Sequence, residues 1–417
     1  MKKTFFDKSN KQNIIKIEYL FHTPIKDERK ATVRALLSYM LVMSSKNYPN
    51  NYLLCRRLDY LYGASIETET FENPSNLGLS FFINFLDPKS LNDETYTFKS
   101  CLDMINEIIY NPNIINNKFD TNLFSQQKEE LYINLLSDFE DKNYEAYLKL
   151  KKILYKDKYI NADGDYNIVK SITMTEVINE YYNMINNDDL IIRVYGNTID
   201  NERKLIPQYS DKIKYNNKYL FDIPANAIYI TDDYKGYESY LNMNYYTNVY
   251  LDNRKEVLTL NLLSLMLTGD ASSICYNEIR EKRGLCYSIS SIYNSREGIL
   301  RISCEHLKKN TDEIINLANK IINDISNGIF EDFILESARL KAIDANIKKM
   351  DSYSYNVVKE YRKEIYDLNY SYEDNIAIYK TITRDDIATM CKNLKLIICY
   401  NLRGILEWNL LKILYSI

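Results

Sequence analysis

The sequence predicts an α+β protein of two homologous α/β roll domains, in which mostly antiparallel sheets are covered by helices. Three observations predict this class. Helical and strand-like hydrophobic periods alternate along all 417 residues. The length exceeds that of one ordinary core and suits two domains of similar size. A stretch of the first half is matched, element for element, by a stretch of the second, which indicates an internal duplication.

The elements of the first half follow from periodicity and turn residues. A helix at 28–44 is apolar on most sides and is therefore predicted to be buried. The amphipathic helix at 52–63 ends on Gly63, a natural helix C-cap, and a hairpin folds around the turn cluster Asn73-Pro74-Ser75. The remaining elements are a strand at 14–21, several helices between about Asp93 and Met184, and a strand at 190–196.

The second half repeats this order. Helices at 256–269 and 273–284 close on Gly269 and Gly284, and a hairpin, a set of helices at 310–392 and a strand at 394–401 follow. In the duplication Gly63 corresponds to Gly284, and Gly78 to Gly298. We therefore predict an N-terminal domain at 1–205, a linker at 206–224 and a C-terminal domain at 225–417.

Composition excludes several classes of function. The net charge is -4, with 53 basic and 57 acidic residues interspersed, so no basic surface for nucleic acid is expected. The first residues have no apolar signal-peptide core, and no apolar run is long enough to span a membrane. The seven cysteines are scattered, odd in number and without a CxxC pair, which favours reduced thiols in a cytoplasmic protein.

Two histidines, His22 and His306, limit any metal or acid–base chemistry. His22 lies at a strand end before Pro24, where a lone histidine is more often structural. His306 follows Cys304 and Glu305, but successive strand residues point to opposite faces and do not easily share one ion. We therefore assign no metal to this chain.

The motif TGDASSICYNEIREKRGLCYSISS at 268–291 is the most specific in the chain. It resembles the second-domain signature of the insulinase/pitrilysin peptidase family. In that family the residues that match Arg280 and Tyr287 face the zinc site of the opposite domain, bind the substrate backbone and stabilise the tetrahedral oxyanion. The resemblance therefore implies that Arg280 and Tyr287 bind a peptide substrate.

The first domain departs from this family. Active members carry His-x-x-Glu-His on the first long helix, where the two imidazoles hold zinc and the glutamate activates water. Here Ala35 and Tyr39 stand in place of the histidines and Ser38 in place of the glutamate. The further glutamate ligand is expected near 131–137, which contains no acid. The chain is thus expected to have no catalytic residue and no cofactor of its own.

The resemblance covers nearly the whole chain and implies its partners. Two such chains face each other like a clam shell, and a zinc-bearing homologous subunit would carry the metal. This chain would close the chamber and bind peptide, as in heterodimeric processing peptidases. Two alternatives remain: a structural or interaction protein on the same fold, and a peptide-binding module without cleavage.

Two departures concern the ends of the chain. Few residues precede the strand at 14–21, so the usual first strand of the fold is expected to be short or absent. The residues after Asn401 have the pattern of an apolar helix, for which core packing or docking on a partner is expected.

Overall fold

The computed structural model describes residues 1–7, 13–25, 27–352 and 354–406. These residues form two five-stranded sheets. The sheets have the orders β1-β5-β2-β4-β3 and β6-β10-β7-β9-β8. β1 is parallel to β5 and β6 is parallel to β10, and the other neighbouring pairs are antiparallel. The strands are β1 (Lys2–Phe6), β2 (Ile14–Pro24), β3 (Ser65–Asn73), β4 (Asn76–Leu86), β5 (Asp189–Tyr195), β6 (Ile228–Tyr234), β7 (Glu238–Tyr246), β8 (Cys286–Asn294), β9 (Ile299–Leu307) and β10 (Lys395–Gly404). The predicted duplicated α+β fold with mostly antiparallel sheets is confirmed.

Helices follow the same order in both halves. A π-helical turn at Tyr276–Glu281 takes the place in the second half that α2 has in the first. The helices are α1 (Glu28–Leu41), α2 (Asn51–Asp59), α3 (Phe98–Tyr110), α4 (Thr121–Glu140), α5 (Lys142–Tyr155), α6 (Tyr166–Val169), α7 (Met174–Asn187), α8 (Asp200–Arg203), α9 (Arg254–Thr268), α10 (Thr311–Ser326), α11 (Asp332–Met350), α12 (Tyr355–Tyr366), α13 (Tyr372–Tyr379) and α14 (Arg384–Lys392).

Each sheet buries one face against helices, because alternate residues of a strand point to the same side. Ile17 of β2 belongs to the same buried cluster as Leu36 and Leu37 of α1, and none of the three is exposed. In the second half, Met243 of β7 belongs to the cluster that contains Leu262 of α9. Each fully buried aliphatic side chain of this kind stabilises the fold by about 1.5–3 kcal/mol.

The chain forms two compact units, each built from separate segments. The first contains residues 1–138, 160–217 and 351–369, and the second contains residues 139–159, 218–350 and 370–417. Helix α5 of the first half therefore belongs to the second unit, where it packs on β7 and β10. Helix α12 of the second half belongs to the first unit, where it packs on β1 and β5.

The duplication extends to single ion pairs. Arg29, at the start of α1, donates to Glu176 over 2.7 Å, and Glu176 completes the capping box of α7. Lys255, at the start of α9, donates to Asp386 over 2.7 Å, and Asp386 completes the capping box of α14. The same contact thus fastens the corresponding helices in both units.

The glycines matched by the duplication divide into two kinds. Gly63 and Gly284 have φ of +70° and +61°, and no heavy atom lies within 4 Å of an added Cβ, so backbone conformation alone requires glycine. Gly78 lies inside β4, where the Phe71 ring would be 2.0 Å from a Cβ, whereas Gly298 is at φ +64° just before β9. Gly78 and Gly298 therefore have different structural roles, although the sequence aligns them.

The first strand, expected to be short or absent, is short, whereas the start of the C-terminal tail differs from the expectation above. Strand β1 is present with five residues and pairs in parallel with β5. Strand β10 continues to Gly404, so residues 402–404 are strand rather than the start of a helix. The rest of the predicted apolar tail, 407–417, lies outside the described residues. Within the described ranges, every helix is too short or too polar to cross a membrane.

Candidate functional site

The helix that carries the degenerate motif lines a pocket of about 460 Å³ in the first unit. Ala35, Ser38 and Tyr39 are spaced i, i+3 and i+4, which places them on one helix face. Helix α4, strand β3 and the loop before α6 supply the other walls. We call this cavity the α1 pocket. Its lining residues are Ala35, Ser38, Tyr39, Thr68, Glu69, Thr70, Leu131, Asn134, Leu135, Asp138 and Asp163.

The side chains of Ser38 and Tyr39 make hydrogen bonds with uncharged groups. The Ser38 hydroxyl donates to the carbonyl of Ala35 over 2.7 Å, a bond within its own helix. The Tyr39 hydroxyl accepts from the side-chain amide of Asn134 over 2.9 Å, so α1 and α4 are joined by a phenol–amide contact. Asn134 falls in the stretch 131–137, where the further acid ligand was expected.

These residues do not fit a zinc ion. A structural or catalytic zinc site needs three or four imidazole, thiolate or carboxylate ligands, and Ala35, Ser38, Tyr39 and Asn134 supply none. The pocket does contain three carboxylates, Glu69, Asp138 and Asp163, and the Asp163 carboxylate accepts from Thr70. Across the described ranges, however, no three His, Cys, Asp or Glu side chains are placed to hold a metal ion.

A buried arginine holds α1 in position. Arg34 is 1% exposed and donates to Glu180 over 2.8 Å and to Asp188 over 2.5 Å. It also donates to the carbonyl of Phe21 on β2 over 2.9 Å. The helix is thereby tied to α7, to its C-cap Asp188 and to the sheet, which fixes the position of the helix that lines the α1 pocket.

Arg280 lies in the π-helical turn of the second unit. Its guanidinium lies over the ring of Tyr276, 4.7 Å from the centroid, and 3.5 Å from a carboxylate oxygen of Glu281. About a third of the side chain is exposed. Three residues after the turn, the N–H of Gly284 donates to the carbonyl of Arg280 over 2.9 Å.

Tyr287 is the extra residue of a β-bulge. Cys286 pairs with His306 and Ser288 with Glu305, so Tyr287 has no residue opposite it. A bulge redirects the inserted side chain, and Tyr287 is 50% exposed. Burial raises the pKa of the neighbouring Cys286 thiol to about 11, against the opposing effect of Arg280, so this cysteine is a packed thiol rather than a nucleophile.

Neither histidine belongs to a polar site. Burial lowers the pKa of His22 to about 3 and that of His306 to about 4, which keeps both rings neutral near pH 7. His306 and Cys304 share the core-facing side of β9, whereas Glu305 is on the opposite side. The three consecutive residue types therefore do not converge on one point.

Sequence reasoning did not single out Asn134, Asp138, Glu69 or Asp163 as neighbours of the motif. Asn134 and Asp138 could have been found from their spacing of four on α4, which places them on one helix face with Leu131 and Leu135. Glu69 and Asp163 come from distant parts of the chain, and only the fold brings them to the pocket.

Comparison with known proteins shows which family the chain resembles. Residues 169–341 match the family model described as Peptidase M16 inactive domain. This match and the fold agree with the predicted resemblance to the insulinase/pitrilysin (M16) peptidase family and to its inactive members.

Individual relatives agree with this class. The chain is 23% identical over 410 residues to a probable inactive metalloprotease, YmfF, of Bacillus subtilis (strain 168), covering 95% of this chain and 94% of that protein. A conserved protein of Enterococcus faecalis V583 has a similar structure, with a TM-score of 0.86, 24% identity and coverage of 97% and 96%. A peptidase M16 inactive domain from Pseudomonas fluorescens gives a TM-score of 0.72 at 15% identity, covering 97% and 96%.

Proposed function

We propose that this chain is the non-catalytic subunit of a heterodimeric zinc peptidase, with a zinc-bearing homologous subunit as its partner and short peptides as substrates. One contrast carries the proposal. The catalytic helix keeps its place in the fold but has lost every zinc ligand, whereas the second-domain motif keeps both Arg280 and an exposed Tyr287. Those two residues act on substrate, and the lost ones act on metal.

The partner supplies the metal and the activated water, and this chain supplies hydrogen-bond donors. The Arg280 guanidinium and the Tyr287 hydroxyl are suited to a peptide carbonyl oxygen, which becomes more negative as the carbon turns tetrahedral. Both side chains are partly exposed, and the contacts of Arg280 with Glu281 and Tyr276 are weak enough to be exchanged for substrate.

The proposal extends to location. The seven cysteines are free, and six of them are buried, which suits a reducing compartment. We therefore propose that the complex works in the cytoplasm.

The test is turnover of the complex isolated from native cells. Tagged wild-type, Arg280→Ala and Tyr287→Phe chains would each be purified with what they bind. Zinc and cleavage of a quenched peptide library would then be measured in the eluates. We expect zinc to arrive with a second chain of similar size. Turnover per zinc should fall about 100-fold in either variant, as for the loss of one oxyanion donor.

Matched variants separate chemistry from general damage. Arg283→Ala changes another partly exposed arginine close to the same turn, and Tyr229→Phe removes another exposed hydroxyl of the second sheet. Both should leave turnover and zinc content unchanged. Normal turnover in Arg280→Ala and Tyr287→Phe would remove the substrate-binding role, and an eluate without zinc or activity would refute the heterodimer.

A further inference from the structure

A second pocket, of about 420 Å³, lies in the second unit on the sheet face opposite α9, beside the start of α5. We call it the open-face pocket. Its volume is in the range that small-molecule sites occupy. Its lining residues are Asp141, Asn143, Tyr144, Tyr147, Asn242, Ser290, Ile292, Asn294, Ile299, Arg301 and Ser303.

One end of the open-face pocket is cationic. The Arg301 guanidinium lies over the Tyr147 ring, 4.6 Å from its centroid, and its Nε donates to Asn244 over 3.0 Å. Behind it, the buried Lys151 pairs with the equally buried Glu297, and Arg301 is 3.8 Å from the other oxygen of Glu297. Two cations thus share one carboxylate, and the surplus positive charge favours an anionic ligand.

The floor of the pocket holds an unused donor. Asn242 is 2% exposed, and its side-chain carbonyl accepts from Ser303 over 2.7 Å. Its amide nitrogen has no hydrogen-bond partner among the described residues. A buried donor left unpaired is unfavourable, so a ligand that brings an acceptor to this amide would gain a hydrogen bond that the described residues do not supply.

The other end is acidic. Asp141 lines the pocket, and Glu305 projects from the same face of β9 as Arg301 and Ser303. Burial, together with the negative charges of Glu238 and Asp141, raises the pKa of Glu305. Arg301 and Glu305 are four residues apart on one strand, which corresponds to about 13 Å. A cationic end and an acidic end suit a short peptide with both termini charged.

The corresponding face of the first sheet has a different set of polar contacts around Glu18. On this face Glu18 accepts from Ser80 over 3.2 Å, from Arg193 over 2.8 Å and from Tyr195 over 2.9 Å. Those polar groups satisfy one another, whereas Asn242 in the second sheet lacks a partner. The polar contacts on this face therefore differ between the two units.

We propose that the open-face pocket binds short peptides by their two charged termini, with the C-terminal carboxylate at Asn242 and Arg301 and the ammonium group at Asp141. The exposed side chain of Ile292 and the buried Ile299 form an apolar wall, which suits the middle residue of a bound tripeptide. The proposal rests on the peptide-related function above, but it concerns a second site that needs no zinc and no partner subunit.

Calorimetric titration of the isolated chain tests the proposal. The probes are the tripeptide Ala-Leu-Ala, its C-terminal amide and its N-acetyl form. The amide should bind at least about tenfold more weakly than the free peptide, since it loses a hydrogen bond to a charged group. The N-acetyl form should also bind more weakly.

Two variants assign the ends. Asn242→Asp keeps the side-chain size but replaces the donor by a like charge, and should weaken binding of the free tripeptide at least about tenfold. Asp141→Asn still caps α5 and should remove the difference between the free and N-acetyl forms. Lys320→Gln, an exposed change on α10, should bind like wild type. If Asn242→Asp does not fold by circular dichroism, Asn242→Ala takes its place.

Equal affinity for the free and amidated peptides, or no binding to the wild-type chain, would overturn the proposal. Undiminished binding to the folded Asn242 variant would do so as well. The titration uses neither the partner nor zinc, so its outcome is independent of the purification from native cells. If the isolated chain binds the tripeptide but no peptidase complex is recovered from cells, only the heterodimer is refuted. If an active complex is recovered but the isolated chain binds the free, amidated and N-acetyl tripeptides equally, only the proposed role of the open-face pocket is refuted.

Discussion

His22 should make the free energy of unfolding of this protein sensitive to acid. The ring is 2% exposed and lies between Phe71 and Tyr215, with centroids 5.2 Å and 4.7 Å away. In the described part of the chain neither ring nitrogen has a hydrogen-bond partner. Burial, with smaller contributions from Arg34 and Arg193, lowers the pKa from 6.5 to about 3.

The sign and size of the effect follow from proton linkage. The folded state keeps His22 neutral down to about pH 3, whereas the unfolded chain binds a proton below pH 6.5. Because the unfolded state binds more protons across this window, stability falls as the pH falls through it. Between pH 7 and pH 5 the contribution of His22 should decrease by about 2 kcal/mol.

Urea unfolding of wild type and His22→Leu at pH 7 and pH 5, followed by circular dichroism, isolates this contribution. Other groups, such as Glu180 with its raised pKa, are common to both proteins and cancel in the comparison. The variant should lose about 2 kcal/mol less than wild type between the two pH values. Equal losses would refute the assignment of a neutral, buried His22.

Further predictions concern the first unit. Arg34→Met should lower the free energy of unfolding by about 3–5 kcal/mol, since it leaves the buried carboxylates of Glu180 and Asp188 without the arginine. Denaturant unfolding would measure this difference, and a loss below about 1 kcal/mol would contradict the prediction. The triple variant Ala35→His, Ser38→Glu, Tyr39→His should bind zinc poorly, and adding Asn134→Glu should tighten binding at least about tenfold, because zinc sites use three or more protein ligands. Competition with a chromophoric chelator would measure both affinities, and equal values would show that α4 does not supply the missing ligand.

Much of the fold could be predicted from sequence, because periodicity and glycine punctuation are local. The positions of Gly63 and Gly284 mark two turns that only glycine adopts easily, and the structure gives both a positive φ. The short β1 was harder to predict, since five residues at a sheet edge carry little pattern and gain their stability by pairing with β5.

The candidate sites show the same limit. The prediction that Ala35, Ser38 and Tyr39 stand in place of zinc ligands rests on the residue types alone. The bulge that exposes Tyr287 cannot, because it depends on how β8 registers against β9. The open-face pocket escaped sequence analysis entirely, since Asn242 and Arg301 are ordinary alternating strand residues until α5 is placed beside them.

The exchange of α5 and α12 between the halves has a consequence for synthesis on the ribosome. The first unit includes residues 351–369, so it cannot be completed until the 133 residues at 218–350 have also been made. At typical elongation rates this delay is roughly ten seconds. During that interval β1 and β5 lack the helix that packs on them. Until residues 351–369 are made, the surface of β1 and β5 that α12 covers stays exposed, and a chain that ends within residues 218–350 lacks part of both units.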